Sequence, residues 1–353
     1  MRSVAFLVLS FLTSLSAAIA DDFDAKPVQR AIEKTIPWLE KDMVAWRTTN
    51  GCAACHHGPM YVWSVSSAKR AGYSVNQTQL RDYTKWLIES PDARVFPADK
   101  SAELLAQSTI AADRMTAAMM GHRNLSQPTL YLAHALNALP ADDPLTITGW
   151  KKLATHWSKA QMEDGSFAGR KGWPPIFNTP QIHTLTAATA LDARPQNLPP
   201  SRDLADSLET ISKKAKTFLA MHSADETHQG LVLRLPQASR GDSSEKSDLK
   251  DKLIALQRKD GGWSQTADRD SDAFATGQSL YALRQAGVSD LDPAVRRGLT
   301  FLVTTQLADG TWPVQSRPNP ETGRPADDLN PITYAAAAWA TIGMAQHVKA
   351  GQQ

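Results

Sequence analysis

One seven-residue pattern recurs along the chain and restricts its fold more than any other feature. Gln161-Met162-Glu163-Asp164-Gly165-Ser166-Phe167, Gln257-Arg258-Lys259-Asp260-Gly261-Gly262-Trp263 and Gln306-Leu307-Ala308-Asp309-Gly310-Thr311-Trp312 all read Gln-x-x-Asp-Gly-x-aromatic. The second and third copies start 49 residues apart and the first two 96 apart, about two such periods, so a degenerate copy is expected near 221–227. Fixed periods of this size belong to repeat architectures. Asp-Gly suits a tight turn, because glycine tolerates positive φ. The aromatic residue can then fold back on the flanking segments.

Those flanks carry helical periodicity. Residues 150–160, 249–256 and 295–305 precede the motif and place Lys, Arg and Asp on one face. Residues 182–193, 274–287 and 332–344 follow it and are rich in Ala, Leu and Thr. Each unit therefore reads as a polar outer helix, a turn and an apolar inner helix. Extending the period adds 28–47 with 60–73, 77–89 with 129–139, and 201–221 with 226–236. An inserted segment at about 91–125 contains a further expected helix, 102–120. The chain is expected to be all-α, with about six helical hairpins. Such hairpins can close into a ring with the apolar helices inside, or stack as an open solenoid.

Only two cysteines occur in 353 residues, in the run Cys52-Ala53-Ala54-Cys55-His56. This is the pattern of c-type haem attachment. Two thiols at that spacing can add to the two vinyl groups of one haem, and the adjacent histidine can then ligate the iron through a neutral imidazole nitrogen. Cys52, Cys55 and His56 are thus expected to hold one covalent haem c, with His56 as proximal iron ligand. A dithiol–disulfide pair is an alternative, although no βαβ pattern flanks it. A zinc site using His57 as well is another, although four such contiguous ligands close a tetrahedron poorly. The loop falls between helices 28–47 and 60–73, where other units carry their Asp-Gly turns. The distal ligand is not readable; His183, His122 and Met115 are candidates, as is an open position. Met60 is too close to His56 to reach the opposite face of a haem. His134, on an apolar helix, reads as a core residue.

The start of the chain matches an export signal: Arg2, an apolar run over 4–15, Ala18-Ile19-Ala20 as a cleavage site, then Asp21-Asp22. Residues 1–20 are expected to be removed, leaving residues 21–353 as a single domain in a bacterial periplasm. That compartment suits attachment of c-type haem. No later stretch is long and apolar enough for a transmembrane span. A net charge of +2 with no run of five or more like charges argues against nucleic-acid binding. Ten tryptophans, more than the nine phenylalanines, fit a structural aromatic in each repeat.

The Gln-x-x-Asp-Gly-x-Trp turns resemble the QW repeats of squalene–hopene cyclases and protein prenyltransferases. The resemblance is strongest from Trp150 to Met344 and implies an α/α toroid, an α6/α6 barrel with a central cavity. Residues 51–73, 173–190 and 271–278 also resemble bacterial exported proteins that join a haem motif to such repeats. Fold does not dictate chemistry. Cyclases of this kind protonate an alkene with Asp-x-Asp-Asp after Gly-Gly-Trp. Here Gly261-Gly262-Trp263 precedes Asp270-Ser271-Asp272-Ala273, so the third acid is missing. Asp272 is a catalytic candidate, and its place before an apolar helix also suits a helix cap. The expected function is electron transfer or haem redox chemistry, with a redox protein as partner or an apolar small molecule in the barrel cavity. The alternatives are a terpenoid cyclase-like or prenyltransferase-like enzyme, and a non-catalytic toroid binding lipid or glycan.

Overall fold

The computed structural model describes residues 23–54, 56–96, 127–168, 179–195, 202–241, 243–319 and 322–351. The expected export signal and the inserted helix 102–120 lie outside them. The described chain is helical: α1 Lys26–Asn50, α2 Gly58–Arg70, α3 Gln77–Glu89, α4 Gln127–Asn137, α5 Pro144–Ala160, α6 Pro180–Asp192, α7 Arg202–Ala220, α8 His228–Ala238, α9 Ser243–Ala255, α10 Ala273–Gln285, α11 Pro293–Thr305 and α12 Asn330–His347. Among these residues there is no β-strand, only isolated bridges at Gln161–Phe167 and Trp263–Asp272.

Several helices begin earlier than their periodicity suggests. Asp143, Thr179 and Asp292 cap α5, α6 and α11 through side-chain oxygens, and Pro144, Pro180 and Pro293 follow at the first helical position. Proline loses nothing there, because that N–H has no intrahelical partner. The region of the expected degenerate copy is the connection between α7 and α8, closed by the Thr227 cap.

Odd-numbered helices bury one stripe. In α1 it is Val28, Ala31, Ile32, Thr35, Ile36, Leu39 and Met43, the three- and four-residue spacing of an amphipathic helix. Even-numbered helices are buried nearly all round, as in α2 from Gly58 to Ala68. These apolar helices pack in sequence order, α2 on α4, α4 on α6, α6 on α8, α8 on α10 and α10 on α12, and α12 packs back on α2. All six also line one narrow central space of about 20 Å³, filled by Trp63, Tyr131, His134, Tyr281 and Trp339. α10 and α12 approach closely, and a Cβ on Gly277 would meet the Trp339 backbone.

The repeated turns tie each unit to the next. Gly165, Gly261 and Gly310 all have φ near +90°. Asp164, Asp260 and Asp309 accept from the backbone N–H two residues on. The leading glutamine donates both to its own turn and to the following odd-numbered helix: Gln161 to Gly165 O and Ile211 O, Gln257 to Gly261 O and Ala294 O. In the last copy Gln306 donates to Gly310 O, to Ala31 O and to Thr35 Oγ1, joining the end of the chain to α1. Trp263 and Trp312 are buried and donate Nε1–H to Leu253 O and Leu302 O.

Candidate functional site

The loop between α1 and α2 replaces an Asp-Gly turn with the cysteine–histidine run. Gly51 ends α1 in the left-handed conformation. Ala53 N–H donates to Ala93 O and Gly58 N–H to Ala53 O. Trp46 Nε1–H donates to Cys52 O at 3.0 Å. The loop is thus pinned through its backbone, and the side chains of Cys52 and His56 are left for other work. Ala54 sits at φ +47°, an unusual value for a residue with a Cβ and the kind of strain found at functional sites. The Cys52 thiol is free and partly exposed. Cys55 lies outside the described residues.

His56 Nδ1 lies 2.8 Å from His57 Nδ1, and His57 Nε2 lies 3.1 Å from Asp42 Oδ2. Asn330 Nδ2 donates to the other Asp42 oxygen at 3.0 Å. A carboxylate only accepts, so His57 Nε2 must carry the proton it donates to Asp42. His57 Nδ1 is then an acceptor, and His56 Nδ1–H donates to it. The chain of bonds leaves His56 Nε2 with its lone pair free. Burial, aided by the neighbouring His57, pushes the His56 pKa down to about 3, so this ring is neutral at ordinary pH. His57 is held down by burial against the opposing pull of Asp42. Its ring is fully buried between Trp46, stacked at 4.0 Å, and Tyr334, stacked at 4.1 Å.

This arrangement fits what an iron ligand needs. A ligating histidine presents one bare nitrogen, and its other N–H is held by a second group that sets tautomer and ring orientation. Asp42, His57 and Asn330 supply that second layer. His57 uses both nitrogens within it, so it is not a spare ligand. Asp42 and Trp46 are one turn apart on α1 and face the loop, a spacing visible in the sequence but not singled out there. Asn330 is distant in sequence, and nothing local marks it.

The other candidates fall elsewhere. His183 lies in the first turn of α6, on the same side of the bundle as the loop, and its buried ring donates Nδ1–H to Ala168 O. His122 and Met115 lie outside the described residues. Met60 is buried in α2. Asp272 caps α10: Oδ1 accepts from Ala275 N–H at 2.7 Å, and Oδ2 accepts from Gln265 Nε2 at 2.8 Å. Burial pushes its pKa up. Both oxygens are engaged, and the third acid of the cyclase pattern is Ala273, which is buried. Removing the cap by Asp272→Ala is expected to cost about 1–2 kcal/mol in urea unfolding.

Two further histidines are packed in the interior. His134 donates Nε2–H to Thr186 O and stacks on Trp63 at 4.7 Å, while His228 Nε2 lies 2.8 Å from Ser279 Oγ. Burial pushes each pKa down to about 4 from the usual 6.5. The unfolded chain takes up these protons near pH 6.5 and the folded chain only near 4. The stability they confer is therefore full above pH 6.5 and is lost as the pH falls towards 4. Each contributes up to about 2–3 kcal/mol over that window. Urea midpoints between pH 7 and 4.5 should fall accordingly, and less steeply in His134→Gln.

Compared with known families and with curated proteins, the chain matches no family model and no curated protein. Among the described residues no helix is long and apolar enough to cross a membrane.

Proposed function

We propose that this chain is an exported c-type haem protein on an α6/α6 toroid. Cys52 and Cys55 would carry one haem by thioether bonds, and His56 Nε2 would ligate its iron. The reading rests on the hydrogen-bond chain Asp42–His57–His56, which leaves a lone pair on His56 Nε2 in the loop that also carries the free Cys52 thiol. The return of α12 to α2, and the tie from Gln306 to α1, support the toroid. The leader pattern in the sequence supports export.

A bound haem supplies a one-electron couple, suited to exchange with a redox partner protein. The protein's own groups set its terms. Asp42 and Asn330 orient His57, Trp46 and Tyr334 clamp its ring, and His57 fixes the tautomer of His56. The aromatic walls exclude water from the His57 face. The decisive experiment is a reduced pyridine haemochrome spectrum of protein matured in a periplasm equipped to attach haem. A c-type α-band is expected, and its absence would sink the reading. Asp42→Asn should leave the covalent haem content unchanged. It should raise the reduction potential, because a weaker acceptor makes His57, and through it His56, less electron-donating. A potential identical to that of the unaltered protein would remove Asp42 from this role.

A further inference from the structure

At the far end of α2, about 18 Å from the cysteine loop at 1.5 Å per residue, the structure has a second feature. A cavity of about 390 Å³ opens where the six even-numbered helices end. Four cationic residues line it: Arg70, Arg240, Arg284 and Lys349. No aspartate or glutamate does. Arg284 is paired with Asp290, which stands outside the lining. Among the described residues Arg70 and Arg240 have no carboxylate within salt-bridge distance; each donates once to a backbone carbonyl, Arg70 to Asn137 O and Arg240 to Pro236 O. Tyr281 lies within electrostatic reach of both guanidinium groups.

The bland account is that these arginines answer the helix dipoles, since six C-termini converge here and each carries about half a negative charge. That account explains one hydrogen bond per arginine. A guanidinium has five N–H donors in a planar fork matched to carboxylate or phosphate. Among the described residues, four on Arg70 and four on Arg240 have no protein acceptor. Arg70 is exposed, so its remaining N–H groups face water that an anionic ligand would replace. The cavity is also too small and too polar for a polyprenoid. At about 30 Å³ per water-sized group it holds roughly a dozen non-hydrogen atoms.

We propose that this cavity binds a small organic anion carrying two or more carboxylate or phosphate groups, gripped by Arg70, the last residue of α2, and Arg240, just past the end of α8. It is separate from the cysteine loop, and it stands whether or not the chain carries haem.

The test is isothermal titration of the full mature chain with citrate and with pyrophosphate, against chloride at matched ionic strength. Saturable binding of one equivalent of citrate or of pyrophosphate is expected, and the stronger of the two assigns a carboxylate or a phosphate ligand. Arg70→Gln and Arg240→Gln should each weaken it by about tenfold or more, the loss of a charge-assisted hydrogen-bond pair. Arg234→Gln, outside the lining and paired with Glu226 and Glu245, should leave it unchanged. In the unaltered protein, hydrogen exchange should slow at the last turns of α2 and α8 on adding the anion, which keeps the proposal testable if a variant fails to fold. Equal, weak responses to all three salts, or undiminished binding in the Arg70→Gln/Arg240→Gln double variant, would show that the arginines serve only as helix counter-charges.

Discussion

Replacing Cys52 and Cys55 together by serine is expected to abolish covalent haem while leaving the helical fold intact. The fold should survive because the described part of the loop is held through its backbone. Trp46 bonds the backbone carbonyl of Cys52, and Ala53 and Gly58 pin the loop through their own N–H groups. Circular dichroism should therefore be unchanged while the haemochrome band disappears. Each single variant should retain one thioether, and its band should move to longer wavelength because one vinyl group stays in conjugation. Covalent haem persisting in the double variant would overturn the assignment.

The second large effect concerns the seam between the last repeat and α1. Gly310 has φ +92°, and a Cβ there would sit 2.6 Å from Lys34 O. Its carbonyl accepts from Thr35 Oγ1 and Gln306 Nε2, and Lys34 Nζ donates to Leu307 O. Neither the turn nor α1 can retreat without breaking these bonds. Gly310→Ala therefore carries the left-handed backbone penalty of about 1–2 kcal/mol and a backbone collision of about 1–3 kcal/mol. Gly287 offers the control: φ is +74°, and no atom lies within 4 Å of its would-be Cβ. Gly287→Ala should cost only the backbone penalty. Urea unfolding of the two variants measures the difference, and equal losses would show that the seam is not tightly closed.

Much of the helical order was legible before any coordinates. The Gln-x-x-Asp-Gly-x-aromatic copies mark turns whose glycines share one backbone conformation, and α3 spans the expected 77–89. Boundaries were missed where the first turn is polar, as in α9, which begins at Ser243 rather than 249. Apolar periodicity reports burial, and a polar turn that faces solvent is silent to it. The Asp-Pro and Thr-Pro caps were written in the sequence and would have corrected α5, α6 and α11.

The candidate site divides in the same way. Cysteine spacing and the adjacent histidine are covalent facts, set by chain order alone. The state of that histidine is not. Asn330, His57 and Asp42 come from α12, the loop and α1, and the Asn330–Asp42 bond joins residues 288 apart in sequence. The sequence suggested an apolar molecule in a barrel cavity; the central space is closed by aromatic rings, and the open cavity is lined by arginines. Local patterns determine which segments become helices, where they turn and which thiols lie three residues apart, because those are short-range backbone and covalent properties. Which side chains meet at His57, and which charges face the open cavity, follows only from how the helices pack. Those contacts depend on distances across the bundle that no local pattern encodes.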